Sequence, residues 1–340
     1  MKPRTHLFTN EIVFRGHPDK VCDQISMALL QTYLSKDPNT KAGIEVLGSG
    51  NKLVIAGEVR SKARIAVRQV IRRILYDIGY DPETFVISNN LTTQSPDIAM
   101  GVDRGGAGDN GMVFGYACDD TEELLPTAMV ILQKFAKEYD NILHSGDRRF
   151  LPDGKAQITG EYNKHNKLVK IKTFTICYQN TEMYREDTDD LLKHIARRIC
   201  SEYDIKIDRF LVNPTGRFEC GGFMADAGLT GRKIVVDTYQ SFAKVGGGCM
   251  NGKDWTKVDF SGAHYARLLA KHILKKKGLK WCEVQMGFAI GINRPLSVLI
   301  NSNKGLIDYP VFTDINTMIQ TVKEQVGDLV ELAKFGHFSK

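Results

Sequence analysis

Three short stretches of the chain gather side chains able to act on a phosphorylated substrate. The first, Gly16-His17-Pro18-Asp19-Lys20, sets an imidazole, a carboxylate and an ammonium group at a loop-to-helix junction. Unpaired N–H groups at such a junction favour anions. His17 can polarise a departing oxygen there, Asp19 can bind Mg²⁺ and Lys20 can meet phosphate. A proline-containing helix start with Asp in its first turn is the commoner explanation of the same residues.

The second stretch, Gly247-Gly-Cys-Met-Asn-Gly252-Lys253-Asp254, fits the G-x-x-x-x-G-K part of a P-loop. Asp254, however, stands where the Mg²⁺-holding Ser or Thr belongs. No strand signal leads into it and no helix signal follows directly. It reads as a flexible turn, or as a glycine-rich loop that meets phosphate in another way. Around it, Arg232, Lys233, Lys244, Lys253 and Lys257 are interleaved with Asp226, Asp237, Asp254 and Asp259. Such a mixture suits a polyphosphate with divalent cations, since cations cancel phosphate charge and carboxylates hold the metal. A solvated surface of mixed charge has the same composition. The third stretch, Gly106-Ala-Gly-Asp109-Asn-Gly111, is a tight turn beside a strand, as a hairpin or bulge would also be.

The elements that must carry these residues alternate between helix and strand. Val21, Ile25, Leu29 and Tyr33 predict a helix over 19–34, and a second apolar stripe predicts one over 62–78. Strand-like runs occupy Ile44–Leu47, Leu53–Ala56, Thr84–Ser88 and Met112–Ala117. Helices follow near 124–138 and 187–202, with strands at 156–162, 167–178 and 209–212. In the last third, Ile234–Val236 and Ser297–Ile300 read as strands, and Cys282 to Ile290 alternate as one strand face. Helices are expected at 261–276 and 313–333. The result is an α+β chain of three similar segments, 1–101, 102–219 and 220–340, with no low-complexity linker between them.

Composition narrows the partners. The 340 residues are 42% hydrophobic, and 46 Lys+Arg against 40 Asp+Glu leave a formal charge of +6. That excess permits an acidic ligand but does not announce nucleic acid. It gathers at 60–76 and 267–280, which read as solvated helix faces. Seven scattered cysteines without a C-x-x-C pair argue against a disulfide framework or zinc ribbon. There is no apolar run long enough for a membrane span and no signal-peptide core, so a soluble cytoplasmic protein is expected.

Five blocks together resemble the S-adenosylmethionine synthetase (methionine adenosyltransferase) family. They are 16–20, 106–111, Asn213-Pro-Thr-Gly-Arg-Phe218, Asp226 to Tyr239 and Gly246 to Asp259, in the family's order. The resemblance implies three α+β domains related by pseudo-threefold symmetry, and a homodimer or homotetramer with active sites between subunits. It implies adenosyl transfer from ATP to the sulfur of L-methionine, displacing triphosphate that is cleaved to pyrophosphate and phosphate, with two Mg²⁺ per site and K⁺. Carried over residue by residue, His17 helps the C5′–O bond break, while Lys155, Arg232, Lys233 and Lys253 complete the catalytic set. Asp153, Lys155, Arg217, Phe218, Asp226, Cys249 and Ile290 match ATP-binding positions. Glu58, Gln94, Asp226 and Lys257 match positions around methionine. Asp19 and Asp259 resemble the Mg²⁺ carboxylates and Glu45 the K⁺-site glutamate. The chain departs from the family at Arg15, where an acidic residue is usual, at Ala225, at Cys249-Met-Asn251 and Trp255, and in a short lid over 99–105. A regulatory subunit that binds ATP without turnover and a triphosphatase are the alternatives.

Overall fold

The computed structural model describes residues 5–93, 105–180, 185–311 and 313–338. Its first third runs β1 (His6–Val13), α1 (Pro18–Lys36), β2 (Lys41–Ser49), β3 (Lys52–Arg60), α2 (Val67–Ile78) and β4 (Val86–Thr92). The second repeats that order with β5 (Gly111–Cys118), α3 (Thr127–His144), β6 (Phe150–Tyr162), β7 (Leu168–Asn180), α4 (Arg185–Ser201) and β8 (Phe210–Val212). The last third has β9 (Gly228–Leu229), a short α5 (Ile234–Asp237), α6 (Val258–Lys277), β10 (Trp281–Phe288), β11 (Ser297–Ser302) and β12 (Gly305–Leu306). It closes with α7 (Ile315–Gln325) and α8 (Leu329–Phe335). Strand, long helix and hairpin therefore recur three times, as the α+β reading expected.

Pairing crosses the repeats. The three four-stranded sheets run β1-β6-β7-β8, β4-β3-β2-β9 and β12-β11-β10-β5. The leading strand of each repeat thus joins another repeat's hairpin: β1 pairs β6, β5 pairs β10 and β9 pairs β2, all antiparallel. One apolar core unites α1, α2 and α6 with the sheets of β2 and β10. A second is built by α3 and α4 on the sheet of β6.

Several expectations need correction. Ile234-Val-Val is helical, not a strand, although β-branched residues favour strands. Its backbone closes locally instead, with Asp237 N donating to Lys233 O at 2.8 Å and Gln240 N to Val235 O at 2.9 Å. The helix expected at 62–78 begins only at Val67, because Asp37 draws residues 61–62 away by accepting from Lys62 N and Ser61 Oγ. The helix expected at 313–333 is two, α7 and α8, and Asp328 caps the second by accepting from Val330 N at 2.8 Å. Arg267 does not lie on a solvated face. It is 4% exposed and donates to the carbonyls of Tyr116, Glu123 and Leu124. Among the described residues, no helix is long and apolar enough to cross a membrane.

α6 also carries one half of a buried histidine pair. His264 Nε2 and His337 Nδ1 have no hydrogen-bond partner among the described residues, and their rings lie 5.9 Å apart. Burial, aided by Arg267, lowers the His264 pKa to about 3, and burial likewise lowers that of His337. Below pH about 6.5 the unfolded chain accepts protons that these folded imidazoles refuse, so stability falls as pH falls towards 4. His264→Phe is expected to lose less melting temperature than the wild type between pH 7 and pH 4.5. Equal losses in the two proteins would contradict this account.

Candidate active site

α1 supplies the first part of the site. From Pro18 to Leu30 every one of its residues is buried, so its polar side chains must find partners inside the protein. His17 is the N-cap, with Nδ1 accepting from Asp19 N at 3.2 Å. An acceptor at Nδ1 leaves the proton of the neutral ring on Nε2. Burial acts first on this imidazole, followed by the positive charge of Lys233 and, more weakly, Lys155. Asp19 and Asp226 pull the other way without overcoming them, and the pKa falls to about 4. At neutral pH His17 is therefore an uncharged hydrogen-bond donor among cations.

Asp19, fully buried, holds those cations in place. Lys233 Nζ lies 2.5 Å from Oδ2, Arg232 Nε 3.2 Å from Oδ1, and Leu229 N donates to Oδ1 at 2.9 Å. The 229–233 turn is pinned a second time by Asp23, whose Oδ1 accepts from Gly231 N at 2.8 Å. Lys20 does not face a ligand as the sequence suggested. It is 1% exposed and paired with Asp237 at 2.8 Å, with Asp23 3.8 Å away. Sequence reasoning missed Asp23 as a support of this turn. Its spacing from Asp19, one helical turn along the same face, is the signal that could have found it.

β6 brings up Asp153 and Lys155. Asp153 accepts from Gly222 N at 2.8 Å, and burial raises its pKa. Lys155 is exposed, in register with Val13 on β1 and Cys177 on β7. Asp226 and Arg217 are exposed, and Phe218 is half-buried with its carbonyl accepting from Asn180 N.

A second group forms where the glycine-rich loop crosses β2. Gly252 has φ +74°, and a Cβ there would sit 2.0 Å from the Ile44 carbonyl, so only glycine permits the crossing. Lys253 then pairs with Asp259 at 2.5 Å, and Lys257 with Glu58 at 3.4 Å. Burial opposes the charge on Lys253, but the hydrogen bond and attraction of Asp259 outweigh it and raise its pKa. Burial also raises the pKa of Glu45, against the pull of Lys253 and with the push of Glu58. Cys249 is a neutral thiol, its pKa pushed up by burial, with Sγ 3.3 Å from Asn251 O. The loop is no P-loop: no strand enters it and the next helix starts at Val258.

The two groups adjoin. Thr230 N in the 229–233 turn donates to Val46 O on β2 at 3.0 Å, Val46 N donates to Thr230 Oγ1 at 2.9 Å, and a Cβ at Gly231 would lie 2.7 Å from Cys249. Ile290 is 45% exposed, with its N–H donating to Asn110, the residue before the Gly111 that lies against Asp259. Gln94 and the lid expected at 99–105 lie outside the described residues, apart from Gly105.

Family models for the N-terminal, central and C-terminal domains of S-adenosylmethionine synthetase match residues 5–98, 104–218 and 220–338, in that order. The chain belongs to the S-adenosylmethionine synthetase family. Among the described residues of this synthetase-family chain, no three His, Cys, Asp or Glu side chains converge as a metal cage. Each candidate carboxylate, Asp19 or Asp259, instead sits beside a lysine. That donor set fits Mg²⁺, which is bound through one or two carboxylates and keeps phosphate and water as its other ligands. The partly buried Glu45 carboxylate next to Glu58 is a hard oxygen site of the kind a monovalent cation can neutralise.

Proposed function

We propose that the protein forms S-adenosylmethionine from ATP and L-methionine as a methionine adenosyltransferase. The methionine sulfur attacks C5′, the C5′–O bond breaks with its electrons going to triphosphate, and water then cleaves triphosphate to pyrophosphate and phosphate. A thioether has no proton to lose, so the site needs no general base. It needs in-line placement and neutralisation of the leaving group.

The His17 cap, locked by Asp19 N and set beside the Arg232 and Lys233 pair on Asp19, is the observation that carries this reading. His17 offers its Nε2 proton to the departing oxygen. Arg232, Lys233 and Lys253 take the triphosphate, for which Asp19 and Asp259 hold them in waiting. Asp19 and Asp259 would hold Mg²⁺, which would supply further cancellation of phosphate charge, and Glu45 would hold K⁺. Asp153, Lys155, Arg217, Phe218, Cys249 and Ile290 receive the nucleotide, with the base between Phe218 and Ile290. Glu58, Gln94, Asp226 and Lys257 surround methionine.

The family membership supports a homodimer with active sites between its subunits. Incubation with ATP, methionine, Mg²⁺ and K⁺ should yield S-adenosylmethionine by mass spectrometry, with phosphate release dependent on methionine. No product above a His17→Ala control would reject the assignment. Methionine-independent phosphate release would favour the triphosphatase.

A further inference from the structure

Two residues before His17, Arg15 is 3% exposed and committed to three helices. Its Nε donates to Gln24 Oε1 on α1 at 2.9 Å, and Nη2 to Asp77 Oδ2 on α2 at 2.5 Å. Nη1 reaches both carboxylate oxygens of Asp140 on α3, at 3.1 and 3.0 Å. Gln24 returns a hydrogen bond to the Arg15 carbonyl at 2.9 Å. His144 reinforces the junction, its ring nitrogens lying 2.8 Å from Asp140 O and 2.9 Å from Asp77 O. The charge at position 15 thus points away from the phosphate-binding cations and into the helices behind them.

The peptide that follows is seated on the strand carrying the other half of the nucleotide site. Gly16 N donates to Pro152 O at 3.2 Å, and a Cβ at Gly16 would lie 2.4 Å from Pro152. Tyr80, just beyond α2, donates to Gly16 O at 2.6 Å. Tyr139, which precedes Asp140 on α3, donates to Leu151 O at 2.6 Å. α3 therefore grips both sides of the contact: it holds Arg15 through Asp140 and the β6 segment through Tyr139. α1 and α2 belong to the first repeat, α3 and β6 to the second, so the spacing between His17 and Asp153–Lys155 depends on how the repeats are tied together.

We propose that Arg15 is a positioning residue that fixes the His17 cap against the Asp153–Lys155 segment of β6 by tying α1 to α2 and α3. The inference rests on the adenosyltransferase reading above. The planar guanidinium presents three nitrogens in fixed directions, here bonded to Gln24, Asp140 and Asp77, whereas Lys offers one point charge. Lys therefore keeps the charge but cannot hold Gln24, Asp77 and Asp140 together.

A displacement near 1 Å of a reacting group can lower a rate about 100-fold. Arg15→Lys and Asp140→Asn are each expected to lower kcat by about 10–100-fold with the KM for ATP changed less than about threefold. The double variant should fall little further, because both changes break one link. Ile199→Val, in the core under β6, provides a control whose stability loss should leave kcat intact. Asp140→Asn carries the test if Arg15→Lys does not fold. An unchanged kcat in the variants, a KM that rises in step with the loss of kcat, or an equal loss in the core control would overturn the positioning role. A wild-type chain that makes no S-adenosylmethionine would instead overturn the reading beneath it, and the inference with it.

Discussion

His17→Ala is expected to lower kcat by about 10²–10³-fold, the usual loss when one pre-set donor to a developing negative charge is removed. The donor is pre-set because Asp19 N occupies Nδ1 and fixes the proton on Nε2. The ring cannot act as an imidazolium in the free protein, since burial and the neighbouring lysines hold its pKa at about 4. The acid limb of kcat/KM, which reports the free enzyme, should accordingly show no inflection near pH 6.5 from this residue. Steady-state rates of the wild type and the alanine variant between pH 5.5 and 8.5 check both points. A loss of less than about fivefold would remove His17 from bond breaking, and a His17-dependent step near pH 6.5 would remove its neutral role.

Lys20→Met carries the largest expected stability effect, about 3–5 kcal/mol, because it strips from a buried cluster the main counter-charge of Asp23 and Asp237. Lys20, Asp23 and Asp237 are 1%, 0% and 3% exposed. Already with Lys20 present, burial raises the pKa of Asp23 to about 7 and raises that of Asp237. A carboxyl whose folded pKa lies above its unfolded value binds protons more tightly when folded. Its contribution grows as pH falls from about 7 towards 4 and is lost as pH rises. The gap between variant and wild type should therefore narrow from pH 8 to pH 5.5 in urea unfolding. A gap independent of pH would mean that packing, not the lost counter-charge, sets the loss.

Local order was legible wherever one periodicity decided it. The alternation of Cys282, Val284, Met286 and Phe288 is the buried face of β10, and the apolar stripe after Val67 is the buried face of α2. α1 was legible as a helix but not as one buried on all sides, so its polar residues were not expected to need partners inside the protein. That is why Lys20 read as a phosphate contact and Asp23 passed unnoticed. Arg267 was misplaced with the basic run around it, since charge counts do not tell a solvated side chain from one that serves three carbonyls. Ile234-Val-Val misled by propensity, which yields when a turn can satisfy its own backbone. The pairing of β1 with β6 has no signature in either strand, because alternation specifies a face and not a partner.

That pairing scheme bears on how the protein is made. A nascent chain emerges N-terminus first, and ordinary multidomain proteins settle one unit at a time as they appear. Here β1 must wait for residues 150–162, and the sheet of β2 stays one strand short until residues 228–229 emerge. The exposed edges of β1 and β2 thus persist through much of synthesis, when unpaired strand edges invite association with other chains. The interlocking that unites three repeats into one catalytic frame also delays its completion until most of the chain has left the ribosome.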